Sequence, residues 1–190
     1  MIACAGARLT YLAGIGVLLT AGAAALVVTS PYHMSRIVSF LSPFSDAQGK
    51  GYQLIQSLIA IGSGEVTGRG FGQSIQKFNY LPEPVGDSIF AVAAEEFGFV
   101  GASIIILLFI GFTLRGLRVS SHAGDLFGGL LALGIVILIS VQAFMNIAAM
   151  LAIIPLSGQT LPFVSHGGTA LLFVLVAMGI VFNVSKYQKE

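Results

Sequence analysis

The stretch that decides the fold is LPEPVGDSIFAVAAEEFGFVGASIIILLFIGF, residues 81–112. Its second half is uncharged and crowded with isoleucine, leucine and phenylalanine, the composition of a membrane-crossing helix. Its first half carries Glu83, Asp87, Glu95 and Glu96. Carboxylates close to hydrocarbon are costly, and they persist only where a partner or a function holds them.

The remainder of the chain extends the membrane reading. Of its 190 residues, 56% are hydrophobic and 9% charged, with a mean hydropathy of +0.93. A soluble domain carries about 25% charged residues, so the expected fold class is all-α and integral to the membrane. The net charge of +1 offers no basic surface for nucleic acid. The single cysteine, Cys4, excludes an intrachain disulfide framework and is expected to pack as a small apolar residue. The opening apolar run has the length of a span rather than the form of a tripartite signal peptide.

About four transmembrane helices are predicted, over residues 9–28, 88–114, 126–154 and 168–184, in a single membrane domain covering 1–190. Pro31 stops the first. Residues 30–87 then form a long polar insertion expected to contain short helices. Within it, YQLIQSLIAIG sets Leu54, Ile55, Leu58 and Ile59 on one helical face, which predicts an amphipathic helix lying on the membrane or tucked into it. GSGEVTGRGFGQS follows, whose glycines predict irregular backbone. PLSGQTLPF reads as a turn between the last two spans. This arrangement gathers Arg8, Arg115, Arg118, Lys186 and Lys189 on one side. The positive-inside rule makes that side cytoplasmic, with the C-terminus, and places the 30–87 loop and the 155–166 turn outside.

Asp87 lies at the mouth of the second span. An N-cap is one reading, since a carboxylate there satisfies free N–H groups and suits the helix dipole. A base or cation ligand held at a water–lipid boundary is the other, and the two are compatible. Glu95 and Glu96 point about 100° apart on a helix and so face different partners. Gln142 and Asn146, which share a face of the third span, are the expected partners. Arg36, Arg69, Lys77 and Glu83 are either solvated loop charges or the groups that meet a diphosphate headgroup. The glycine loop offers backbone N–H groups to phosphate, a weak signal without a Walker motif. His33, His122 and His166 lack metal-ligand spacing, and no Cys/His zinc pattern exists. Ser165 precedes His166 without a nucleophile-elbow context, which argues against a hydrolase and makes His166 a hydrogen-bonded turn residue.

Three blocks carry a family resemblance. GKGYQLIQSLIAIGSGEVTGRGFGQS resembles the GYQ…SL-AIGSGG…GKG-G loop of the SEDS family (shape, elongation, division and sporulation). QKFNYLPEPVGDSIFAVAAEEFGFVGA resembles that family's LPE-x-HTDFIFAV-x-AEE-x-G block, and PLSGQTLPFVSHGG resembles P-x-TG-x-LPF-x-SYGG. QKFNYLPEP and LPFVS look more like the FtsW-type division branch than the RodA-type elongation branch. Val85-Gly86 replaces the usual His-Thr pair, and His166 replaces the usual Tyr. SEDS members carry more spans than this chain, which looks like their C-terminal part.

The resemblance implies an inverting peptidoglycan glycosyltransferase that polymerises lipid II for cell division, in the bacterial cytoplasmic membrane. The family's essential aspartate falls on Asp87, as general base or as ligand of a divalent cation, Mg or Mn. Arg36, Arg69, Lys77, Glu83, Glu96, Ser165 and His166 are the residues expected to bind substrate. The expected partners are lipid II, a class B penicillin-binding protein and other divisome membrane proteins. The rival readings are a lipid II transporter (flippase) and a noncatalytic divisome scaffold.

Overall fold

The computed structural model describes residues 9–46, 49, 51–78 and 80–187. Cys4, Arg8 and Lys189, and the side chain of His33, lie outside that description. The described residues hold helices and turns, in the order α1 (Leu9–Thr29), α2 (Pro31–Leu41), α3 (Tyr52–Ser63), α4 (Ile89–Ser121), α5 (Leu126–Met150) and α6 (Gly168–Lys186). Short 3₁₀ turns occupy Pro43–Asp46 and Gln76–Phe78.

Among the described residues, α4, α5 and α6 are each long and apolar enough to cross a membrane. Their apolar side chains face outward along most of α4 and α6, as lipid-facing spans require. The chain is a multi-pass membrane protein. Helix α1, with 21 residues and no charged side chain, lies where the sequence predicts the first span. It packs against α2.

Helix α5 is the centre of the bundle, packed against both α4 and α6. Its small and branched residues make this possible: Val136 fills the space beside Gly116 of α4, and Ala132, Val136 and Val181 form one core cluster. A larger cluster joins Phe90, Ala91 and Phe109 of α4 to Ala143, Ile147 and Met150 of α5, with Ala60 of α3 and Leu161 of the 155–166 turn.

Several helix ends differ from the sequence reading, each for a local reason. Pro31 does not merely stop α1; it occupies the first turn of α2, where its missing N–H costs nothing. Helix α5 ends at Met150 rather than 154, because Ala152 takes a left-handed conformation (φ 56°). Helix α3 buries Leu54, Ser57 and Ala60, its small face, against α4 and α5. Leu58 and Ile59 are exposed, so the apolar face read from the sequence is split: Leu54 enters the core and the other end of the face stays outside.

Helix α4 is broken. Gly98 adopts φ 67°, ψ −165°, which divides the helix into a short first segment and a long second one. A break of this kind frees carbonyls on one side and N–H groups on the other, and in a membrane each must find a partner. The glycine-rich segment supplies them. Phe99 N–H donates to Glu65 O at 2.9 Å and Val100 N–H to Val66 O at 3.2 Å. In return Arg69 and Gly70 N–H groups donate to Glu95 O and Glu96 O, each at 3.0 Å. The approach is so close that a Cβ on Gly68 would collide with the Glu96 carbonyl, and one on Gly98 with Gly68 N and Val66 O. Both residues also have positive φ.

Candidate functional site

The acids singled out from sequence fall into two groups, one within α4 and one just before it. The deeper group is built around the two glutamates. Glu95, 1% exposed, accepts hydrogen bonds from Ser74 Oγ at 2.5 Å, Ile75 N–H at 3.0 Å and Gln76 N–H at 3.3 Å. Arg69 Nε stands 3.7 Å from its Oε1. Glu96 is paired with Lys77 Nζ at 2.6 Å and also accepts from the backbone N–H groups of Gly72 and Ser74. Both carboxylates are thereby saturated by the 65–78 segment that plugs the helix break. Gln142 and Asn146, expected as their partners, are committed elsewhere. Gln142 donates to Thr160 O, and Asn146 to Asp87 O and Gln159 O. The reason is the break itself, which brings the loop rather than α5 against this face of α4.

The glycine loop corrects a second expectation. Its N–H groups at Gly68, Arg69, Gly70 and Gln73 all donate to backbone carbonyls, and that of Gly72 to Glu96. None of these is left for a phosphate.

The second group surrounds Asp87, just before the first turn of α4. Ser88, not Asp87, is the N-cap residue. The Asp87 carboxylate is half-buried and turned away from the helix N–H groups. It accepts from Gln53 Nε2 of α3 at 3.2 Å, and Ser88 Oγ stands 3.4 Å from Oδ1. Gln53 Nε2 is also 3.1 Å from Ser88 Oγ, and Ser88 Oγ donates to Pro82 O at 3.0 Å. The capping reading is therefore replaced by a carboxylate held by neutral side chains, without an ion pair among the described residues.

Three further contacts fix the backbone beneath that carboxylate. Asn146, 1% exposed, donates to Asp87 O at 2.7 Å and Gln159 O at 2.6 Å, tying α5 to both loops at once. Ser165 Oγ donates to Gly86 O at 2.6 Å while accepting Leu161 N–H at 2.7 Å. His166 N–H donates to Val85 O at 2.8 Å. The 155–166 turn thus latches the 81–87 approach from the side, with Ser165 and His166 as its contact points. The His166 ring itself is exposed.

Glu83 has a left-handed backbone (φ 46°), and its carbonyl accepts the N–H groups of Gly86 and Ser88, so it shapes the turn that presents Asp87. Arg36 belongs to this end of the molecule as well. It donates to Leu156 O at 2.7 Å and, with Ser35, Ser39, Phe40, Leu54 and Gln53, lines a cavity of about 220 Å³ between α2 and α3. Gln53 therefore joins the cavity to Asp87. Arg69, Lys77 and Glu96 are not brought to this cavity. Among the described residues, no three His, Cys, Asp or Glu side chains converge in a metal-binding cluster.

Sequence reasoning passed over Gln53 and gave Asn146 a different role. A signal existed for the first: Gln53 and Ser57 stand four apart on α3, and that spacing puts a polar edge on an otherwise apolar helix.

The family model described as Cell cycle protein, FTSW_RODA_SPOVE, matches residues 1–190. The chain is 46% identical over 189 residues to the stage V sporulation protein E of Bacillus subtilis (strain 168), covering 100% of this chain and 52% of that one. It is 41% identical over 185 residues to a probable peptidoglycan glycosyltransferase FtsW of Geobacter sp. (strain M18), covering 97% and 50%. The chain spans about half the length of the curated relatives it matches. Among solved structures, a chain of a peptidoglycan synthase complex that coordinates polymerization and crosslinking is similar, with a TM-score of 0.68 at 24% identity, over 92% of this chain and 48% of that one. At that identity the likeness speaks for the fold alone.

Proposed function

Since the chain belongs to the FtsW/RodA/SpoVE family of cell-cycle proteins, we propose that it carries the reaction end of a peptidoglycan glycosyltransferase that polymerises lipid II, with Asp87 at the reacting centre. One observation supports this reading above the others. Unlike Glu95 and Glu96, Asp87 keeps accessible lone pairs, and Gln53 links it to a cavity that also holds Arg36.

Lipid II presents an α-linked sugar diphosphate, and the glycan formed is β-1,4 linked, so the anomeric centre inverts. The acceptor 4-hydroxyl loses its proton as the new bond forms. Asp87 takes that proton, a role that contributes about 10²–10⁴-fold when the base is well positioned. Gln53 and the Asn146 clamp hold the carboxylate at a fixed orientation. The diphosphate leaving group is already acidic and needs charge compensation rather than a proton. Arg36 provides a forked donor at the cavity. Glu83 and His166, exposed beside the Val85–Asp87 turn, are the remaining groups positioned to meet the sugars.

A divalent cation, Mg or Mn, would be held by the carboxylate of Asp87, since Mg²⁺ is bound through one or two carboxylates. It would add charge compensation for the leaving group. Arg69, Lys77 and Glu96 support the site from a distance, by holding the break in α4.

The 30–87 loop faces the outside of the bacterial cytoplasmic membrane and the C-terminus faces the cytoplasm, a sidedness supported by Arg115, Arg118 and Lys186 at the opposite ends of the spans. The process served is division, on the likeness to FtsW, in company with a class B penicillin-binding protein. Asp87→Asn in the full-length protein tests the assignment. Polymerisation of supplied lipid II should collapse while the protein remains folded. Intact polymerisation with failed transport of lipid II across vesicles would instead favour a flippase, and intact division would favour a scaffold.

A further inference from the structure

A second feature of α4 concerns its depth. Its second segment, from Phe99 to Ser121, is about 35 Å long and by itself enough to cross the ~30 Å of a bilayer's hydrocarbon. The charge-free part of that segment, residues 99–114, is about 24 Å long and ends at Arg115. Hydrocarbon thus fits between Arg115 and the break, where the Glu96–Lys77 pair lies, and leaves the segment from Ile89 to Phe97 outside the spanning length.

The loop that plugs the break sits at that upper boundary, and it is greasy on its outer side. Phe71 is 83% exposed, Phe78 67% and Phe99 72%, with Val66, Ile75 and Phe97 also exposed. Phe71 stacks against Phe97, with ring centroids 6.0 Å apart, and Val66 is bonded to Val100, so loop and helix present one surface. That surface continues directly into the outward face of the span at Val100, Ile104, Leu107 and Leu108. Lys77 Nζ lies over the Phe78 ring, 5.1 Å from its centroid, and Arg69 is partly exposed nearby. Exposed rings with cations beside them are the chemistry of a segment lying in the headgroup–acyl boundary. Tyr80, half-exposed beyond Phe78, suits the same level.

We propose that residues 66–78 form an interfacial anchor whose phenylalanines sit in the acyl boundary of the leaflet beside the α4 break. The occupant of this surface is lipid, because the patch is continuous with the lipid-facing side of α4. The anchor fixes the height of the break, and the first segment of α4, Ile89 to Phe97 and about 14 Å long, separates it from the polar turn that carries Asp87. The inference rests on the membrane-spanning character of α4 and stands independently of the chemistry assigned to Asp87.

Residues 1–190 contain no tryptophan, and any tryptophan elsewhere in the full-length protein is replaced by phenylalanine so that each reporter is single. Phe71→Trp, Phe99→Trp and Val85→Trp are each reconstituted, in the full-length protein, into phosphatidylcholine vesicles brominated on the acyl chains. Phe71→Trp should show blue-shifted emission and be quenched as strongly as Phe99→Trp, while Val85→Trp emits as if in water and is unquenched. Phe78→Trp repeats the measurement from the far end of the loop, so a misfolded variant at one position does not decide the result. Water-like emission from both loop positions would overturn the anchor. So would blue-shifted emission that bromine leaves unquenched, which would mean that protein covers the patch.

Discussion

Glu95 and Glu96 within α4 and Asp87 just before it stand about two and a half helical turns apart and are built on opposite plans. At Glu95 and Glu96, both carboxylates are buried and fed by backbone N–H groups, a serine hydroxyl and two cations from a single loop. At Asp87, the carboxylate is half-buried, meets only neutral donors, and is linked through Gln53 to a cavity. A carboxylate whose lone pairs are all taken holds structure together, since breaking it strands buried donors. A carboxylate with capacity to spare can accept a proton or a cation. The contrast sets two acids that hold the fold together against one with room for the role proposed for it, although all three lie within a stretch of ten residues.

The comparison breaks most directly at Asp87. Asp87→Asn preserves shape and removes basicity, and should lower lipid II polymerisation by about 10²–10⁴-fold with an unchanged melting midpoint. Next in size is Gly98→Ala. It forces a side chain into positive φ and into the plugging loop, and should destabilise the protein by about 3 kcal/mol or more, read as lost thermal stability in detergent. Glu95→Gln follows. It keeps the volume but weakens three donors' acceptor, and should cost about 1–3 kcal/mol of stability while the polymerisation rate per folded molecule holds. The smallest effect belongs to Gln53→Ala, which removes one donor from Asp87. It should slow polymerisation by about threefold to tenfold, the worth of one hydrogen bond, with little change in stability.

The spans were legible because charge-free runs of membrane length have few other meanings. Asp87 was legible because it precedes such a run. The break at Gly98 was not, since glycine is common in membrane helices and nothing local distinguishes one that bends the chain from one that packs it. Missing the break had consequences. Without it, the partners of Glu95 and Glu96 had to be sought on α5, where Gln142 and Asn146 share a face. With it, the loop comes into reach, and the glycines that looked able to cradle a phosphate are instead consumed in closing the helix backbone. The turn at 155–166 was read as a connection only. Its contacts to Gly86 and Val85 are long-range pairings between loops, which periodicity does not encode.

The most direct measurement sets the two regions side by side: the rate of lipid II polymerisation per folded molecule for Asp87→Asn and for Glu95→Gln in the full-length protein. The account predicts a near-complete loss for the first and a rate close to wild type for the second, whose deficit appears only in thermal stability. Appreciable polymerisation by folded Asp87→Asn, or its loss in folded Glu95→Gln, would contradict the division of labour proposed along α4.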